Sequence, residues 1–252
     1  TDVKIGLFQW MPELDAVAHS EGDDIILVLA HSLKTGTLDE SSHYCVGRQN
    51  RRLQFLFAGD RPENLDELPF AAWDLLHEDV DGNPLLEWYI QTPVWGGSAN
   101  NSSATPFTMK RSLTAVSSRG CPYACGFCDR QAQGERNYGM RAAESLAREA
   151  EWLIASYRID FLGFPDDNFA VDPRRTKELP DAFAPLKGLR WGTHTRLDEI
   201  DARAFDMARA GCVYIGVGAE SAAVRTLESM NKGGFILRPR GSKENQLTRI
   251  NG

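Results

Sequence analysis

Residues 113–128 read Leu113-Thr114-Ala115-Val116-Ser117-Ser118-Arg119-Gly120-Cys121-Pro122-Tyr123-Ala124-Cys125-Gly126-Phe127-Cys128, a short apolar run that feeds a loop of three cysteines spaced C-x3-C-x2-C. Three thiolates this close can hold three corners of an iron–sulfur cube, one short of the four that close a cluster. An iron without a protein ligand keeps an open coordination position, as catalytic metal sites do. Gly120, Pro122 and Gly126 bend the loop and expose it, so that backbone amides can turn toward sulfur. A zinc site is the competing reading. Its fourth ligand would have to be Cys45, Cys212, His19, His31, His43, His77 or His194, none of which stands in a second close pair. A disulfide framework is disfavoured, because a chain of this size with five cysteines can build a core without staples. Cys45 and Cys212 read as buried, small apolar residues.

Downstream of the loop, helix-like and strand-like segments alternate. Ala143, Leu146, Ala147, Ala150, Leu153, Ile154 and Tyr157 recur at helical spacing and predict an amphipathic helix over 143–157. Ile159 to Phe164 is the next strand, ending at Pro165-Asp166-Asp167. Asp172-Pro173 reads as an N-cap followed by proline at the first helical position, and Pro180 is expected to end or kink that helix. Leu189 to Thr193 is a third strand. A helix from Asp201 to Ala210, stopped by Gly211, leads to a fourth strand, Val213 to Val217, and Ser221 caps a helix running to Met230. Four strand–helix repeats predict an α/β fold with a parallel sheet. In such arrays functional groups gather at the C-terminal ends of the strands. That rule places the cysteine loop, Asp166 and Asp167, His194-Thr195-Arg196, and Glu220 on one rim.

Upstream, the small polar stretch 95–106 reads as a linker. Before it, Lys4 to Phe8, Asp24 to Ala30 and Leu53 to Ala58 read as strands of a small α/β region, and 238–252 reads as a tail. Across 252 residues, 42% are hydrophobic and 25% charged, the profile of a globular protein that can bury a core. The net charge of -7 disfavours nucleic acid as a bulk electrostatic partner. No apolar run approaches the length of a membrane span and no signal-like start is present, so the expectation is a cytoplasmic protein.

The segment Arg119 to Cys128 resembles the cluster loop of the radical S-adenosylmethionine (SAM) superfamily. Leu65 to Leu76, Phe164 to Phe169, Trp191 to Asp198, Gly216 to Ser221 and Met230 to Gly233 resemble, in the same order, the subgroup that carries an N-terminal cobalamin-binding domain. The resemblance spans roughly residues 60–233. It implies a partial (β/α) barrel of radical SAM type with about four βα repeats, preceded by a small α/β N-terminal region. The expected divisions are 1–100, a possible reduced cobalamin-binding-like domain with linker; 107–237, the radical SAM core; and the 238–252 tail. The family core has six repeats, so this barrel reads as C-terminally truncated, with Gly234 to Leu237 a candidate fifth strand.

The resemblance also implies the chemistry. Cys121, Cys125 and Cys128 would bind three irons of a [4Fe-4S] cluster, and SAM would chelate the fourth. An electron from a reductant such as flavodoxin or ferredoxin would then cleave SAM to methionine and a 5'-deoxyadenosyl radical. Phe127 would lie by the adenine, with loop packing as its other reading. Asp166 and Asp167 would meet the SAM ammonium group, or else cap a loop or helix. Arg196 would pair with the SAM carboxylate, or else with Asp198 or a neighbouring rim acid. Glu220 would serve the cofactor where Gly216 and Gly218 allow close approach. His194 could transfer a proton or simply pack. The D-x-H-x-x-G cobalt-ligating signature is absent, which lowers the expectation of cobalamin and leaves it open, since some relatives without the histidine bind it. The implied function is a radical SAM methyltransferase or a cyclisation or rearrangement catalyst. The alternatives are a non-catalytic iron–sulfur or electron-transfer protein and an inactive truncated fragment. The substrate is not legible, because rim loops set it; Trp88, Tyr89 and Trp95 could line a pocket or a core.

Overall fold

The computed structural model describes residues 2–35, 43–49, 52–59, 62–91, 107, 109–128 and 138–232. The expected linker, fifth strand and tail lie outside the described residues, as do the side chains of Cys45, His19 and His43. The chain divides into two compact units, Thr1–Glu63 and Asn64–Gly252. Residues 64–91, grouped on sequence with the N-terminal region, thus cluster with the second unit.

The first unit contains helix α1 (Asp2–Trp10), strand β1 (Ala16–Ser20), helix α2 (Asp23–Thr35) and strands β2 (His43–Gln49) and β3 (Arg52–Gly59). The sheet order is β1-β3-β2, with β1 parallel and β2 antiparallel to β3. The Leu53 to Ala58 strand is present, but the other two expected strands are helices. Short apolar runs do not by themselves separate strand from helix. In α2 the short apolar run sits inside a helix of 13 residues, with Asp23 and Asp24 in the first turn and Lys34 in the last, matching the helix dipole at both ends.

The second unit opens with 3-10 turns at Leu65–Glu67 and Trp73–Leu75 and helix α3 (Leu85–Gln91). Strand β4 (Ser112–Thr114) and a small antiparallel pair, β5 (Ser118–Gly120) and β6 (Tyr138–Met140), follow. Helix α4 (Ala143–Tyr157), strand β7 (Phe161–Phe164), helix α5 (Pro173–Phe183), strand β8 (Arg190–Arg196), helix α6 (Ala202–Arg209), strand β9 (Cys212–Gly218) and helix α7 (Val224–Ser229) complete it. Strands β4, β7, β8 and β9 form a four-stranded sheet in that order, and every neighbouring pair is parallel. This is the expected α/β array of four strands joined by helical crossovers.

Local chemistry sets the helix boundaries. Asp172 caps α5, its side chain accepting from the Arg174 N–H at 2.7 Å, with Pro173 at the first helical position. Asp201 caps α6 in the same way, 3.0 Å from the Arg203 N–H. Gly211 turns the chain into β9 with φ +94°, and a Cβ there would meet the Leu189 carbonyl oxygen at 3.0 Å. Pro180 does not end α5. The helix continues to Phe183, and Leu179 and Phe183 are buried on either side of the proline. Burial of that face outweighs the roughly 3 kcal/mol that an interior proline costs.

The main core lies between the sheet and its helices. Leu113, Leu162, Phe164 and Trp191 from the sheet pack against Ala143, Leu146, Ala150 and Leu153 of α4, Leu179 and Phe183 of α5, and Met207 of α6. Ile90 of α3 joins the same core, and α3 is anchored by Arg111, whose guanidinium donates to both Glu87 oxygens at 2.8 and 2.9 Å. No helix among the described residues is long and apolar enough to cross a membrane.

Candidate functional site

The path into the cysteine loop is clamped before the loop begins. Ser117, just after β4, donates its N–H and hydroxyl to Asp166, and the Ser118 hydroxyl donates to the same carboxylate at 2.8 Å. The Ser117 carbonyl accepts from Arg175 of α5 at 2.9 Å. Arg175 is itself buried, with its guanidinium carbon 4.4 Å from the Phe169 ring centre and a further bond to the Phe169 carbonyl. Burial pushes the Arg175 pKa down and the Asp166 pKa up, and the serine donors oppose the latter. Asp166, expected to meet the ammonium group or to cap a loop, thus holds the strand that launches the loop. Asp167, its neighbour, is exposed at the end of β7.

The loop itself is seated by residues from the other strand ends. Cys125 is buried, Cys121 and Cys128 are half-buried, and all three are free thiols. The Cys128 N–H donates to the Cys125 carbonyl at 3.1 Å, closing a tight turn. From beyond β7, Asn168 directs its amide nitrogen toward Cys121 Sγ at 4.0 Å and donates to Glu199 at 3.1 Å. Glu199, just after β8, also accepts from Thr195 at 2.5 Å and from the Tyr123 hydroxyl at 3.2 Å. Arg196, the last residue of β8, reaches Cys125 Sγ with Nη1 at 3.5 Å. Its Nε donates to Asp198 at 2.9 Å, its Nη2 donates to the Lys232 carbonyl at 3.1 Å, and its guanidinium lies 3.9 Å above the Tyr123 ring centre.

The segment after α7 closes the other side. Gly126 N–H donates to the Met230 carbonyl at 2.7 Å, and the Asn231 amide donates to the Ala124 carbonyl at 2.7 Å. Lys232 pairs with Glu220 at 2.5 Å and stands 5.5 Å from the Phe127 ring centre, Phe127 itself being half-exposed. Glu220, at φ +56°, is thus at the rim but ion-paired. The space above Gly216 and Gly218 is taken by protein: a Cβ would meet His194 at 2.4 Å in the first case and Glu220 at 2.5 Å in the second.

Of the residues expected at the rim, Arg196, Glu220, Phe127 and the three cysteines are joined by these contacts, whereas Asp166 belongs to the clamp beneath. Arg196 takes the Asp198 pairing, the second of its two sequence readings. His194 is exposed on the inner side of β8, its pKa lowered by partial desolvation and pulled back by Asp166. Asn168, Glu199, Tyr123 and Lys232 were not singled out from sequence, although each lies within or next to a quoted motif segment. Cys212 is set apart: it is partly buried against the main core, not fully buried as expected, and desolvation pushes its thiol up to about 12.

The donor set fits an iron–sulfur cluster. Three free thiols stand in one loop, and an arginine and an asparagine direct N–H groups at two of the sulfurs. Burial pushes the Cys121 thiol up, opposed by the Tyr123 backbone N–H and Asn168. Among the described residues no three His, Cys, Asp or Glu side chains converge on a point that could hold a single metal ion.

Comparisons with known proteins agree. Residues 115–237 match the family described as the radical SAM superfamily. The chain is similar to an uncharacterised methyltransferase of Pyrococcus horikoshii, 25% identical over 225 residues, covering 88% of this chain and 44% of that protein. It is similar to the anaerobic magnesium-protoporphyrin IX monomethyl ester cyclase of Rubrivivax gelatinosus, 25% identical over 226 residues, covering 88% of this chain and 37% of that protein. The chain thus spans less than half the length of either relative. Its fold is like that of OxsB, a cobalamin-dependent SAM radical enzyme solved with aqua-cobalamin and SAM bound, at a TM-score of 0.60, 13% identity, and coverage of 93% of this chain and 33% of that one. The segment that matches the radical SAM superfamily, residues 115–237, thus carries both the cysteine loop and the strand ends that hold it.

Proposed function

We propose that this chain is the cluster- and SAM-binding part of a radical SAM enzyme, with Cys121, Cys125 and Cys128 as the three cluster ligands. The observation that carries the reading is the seating of the cysteine loop by residues from beyond β7, from the end of β8 and from beyond α7. When bound, the cluster and SAM supply reductive cleavage of a carbon–sulfur bond and a 5'-deoxyadenosyl radical. The chain's own residues do the remaining work. Asn168 and Arg196 orient the cysteine sulfurs, the Asp166 and Arg175 clamp fixes the strand beneath, and Met230 to Lys232 hold the loop's outer turn. Phe127, Asp167 and the Glu220–Lys232 pair border the open side and are the proposed contacts for SAM. Methyl transfer or cyclisation is the proposed reaction class, supported by the likeness to a methyltransferase and to a cyclase, and a low-potential reductant of flavodoxin or ferredoxin type is the proposed electron donor. The first unit is proposed as a reduced cobalamin-binding-like domain. Co-purification of a corrinoid spectrum tests that part, and a colourless protein grown with cobalamin counts against it.

Anaerobic reconstitution followed by reduction with SAM present tests the central claim. We expect about four irons per chain, with 5'-deoxyadenosine and methionine formed. Cys125→Ala should abolish cluster binding while the helical signal persists. Full iron content in that variant would show that the ligands are misassigned. A cluster with no SAM cleavage would support the non-catalytic iron–sulfur alternative instead.

A further inference from the structure

Arg196 is buried, with 7% of its surface exposed, and it is held in one orientation from several sides. Asp198 takes Nε at 2.9 Å and Nη2 at 3.3 Å, the two-point grip that a planar guanidinium favours. The Lys232 carbonyl accepts from Nη2, and the Tyr123 ring covers one face of the group. These contacts leave Nη1 directed at Cys125 Sγ, 3.5 Å away. Because Asp198 balances the charge, Cys125 meets a directed N–H dipole and not a lone cation. Burial strengthens such a bond by removing competing water. Cys121, by comparison, meets a neutral amide at 4.0 Å whose nitrogen is shared with Glu199.

We propose that Arg196 is a positioning residue for the cluster, fixing the Cys125 sulfur and raising the cluster's reduction potential through this N–H···S contact. The inference rests on the cluster reading above. One-electron reduction adds negative charge to the cluster and its sulfurs, so a donor aimed at a ligand sulfur stabilises the reduced state more than the oxidised one. The sequence signal for this role is the Arg196-Leu197-Asp198 spacing, in which the clamp lies two residues from the guanidinium it holds.

The test is an anaerobic redox titration of the reconstituted full chain, with dithionite as electron source, the reduced cluster followed by its paramagnetic signal and iron measured in parallel. Arg196→Met should keep its iron and shift the midpoint to more negative potential. Arg196→Lys, which keeps a cationic donor but not the fork, should shift it less. If Arg196→Met does not fold because Asp198 is left unpaired, Arg196→Met/Asp198→Leu removes both charges and should show the same negative shift. A variant with wild-type iron content and an unchanged midpoint overturns the inference. Failure of the wild-type chain to take up iron overturns the function reading itself, whereas a wild-type chain that cleaves SAM beside variants of unchanged potential overturns this inference alone.

Discussion

The outward face of the four-stranded sheet is built from large apolar side chains, while its inward face carries glycines and polar groups, although the same strands supply both. Leu162, Phe164 and Trp191 point outward into the helices, and Trp191 packs against Phe164, Phe169 and Phe183 at ring separations of 5.2 to 6.0 Å. The residues alternating with them include Gly163, Gly192, His194, Arg196, Gly216 and Gly218. Only the lower end of the inward face is apolar, where Phe161 stacks on Phe107 and meets Tyr214. Stability is thus concentrated on one side of the sheet and the proposed chemistry on the other. A residue's side, more than its distance along the chain, decides what its loss does.

The largest effect should come from the outward face. Trp191→Ala removes a fully buried ring and its indole bond to the Ala210 carbonyl at 2.9 Å, and should cost about 3–5 kcal/mol of stability in denaturant unfolding. Iron uptake under conditions where the variant is folded should be unchanged. Loss of uptake there would break the division between the faces.

An inward substitution should reverse that pattern. Gly216→Ala would place a methyl group 2.4 Å from the His194 ring, displacing the imidazole or the strand, with a stability loss of about 1–3 kcal/mol. SAM affinity should fall by more than the unfolding change accounts for. Equal SAM binding by wild type and variant would show that this side of β9 does not face the cofactor.

The smallest effect is a pH dependence. Partial desolvation lowers the folded pKa of His194 below its ordinary 6.5, so below that pH the unfolded chain binds more protons than the folded one. The contribution is therefore fully present above about 6.5 and declines as the pH falls through and below that value. His194→Gln should flatten this part of the stability profile between pH 7 and 5. An identical profile in the variant would assign the slope to another group.

Legibility followed the range of the interactions. Helix α4 was readable to its ends because its periodicity is local, and Asp172 and Asp201 announced their helices because a cap bonds only two residues ahead. The apolar runs in α1 and α2 misled because strand and helix compete closely over so few residues. Pro180 misled because the burial that overrides it comes from other elements. At the site, the three cysteines were visible as a spacing. The bonds from Asn168 to Cys121, from Arg196 to Cys125 and from Asn231 to Ala124 cross 47, 71 and 107 residues of chain, and no local pattern encodes them.

By itself, then, the sequence determined the cysteine loop, the alternation of strands and helices, and the family that they resemble. All of these are carried by residue type at short spacing. Only the tertiary structure decided that Asp166 is a clamp beneath the loop, that Arg196 faces a sulfur, and that Met230 to Lys232 hold the loop's outer turn. Those assignments depend on which side chains exhaust one another's hydrogen-bonding capacity, and that is settled only when parallel strands bring distant residues to one edge.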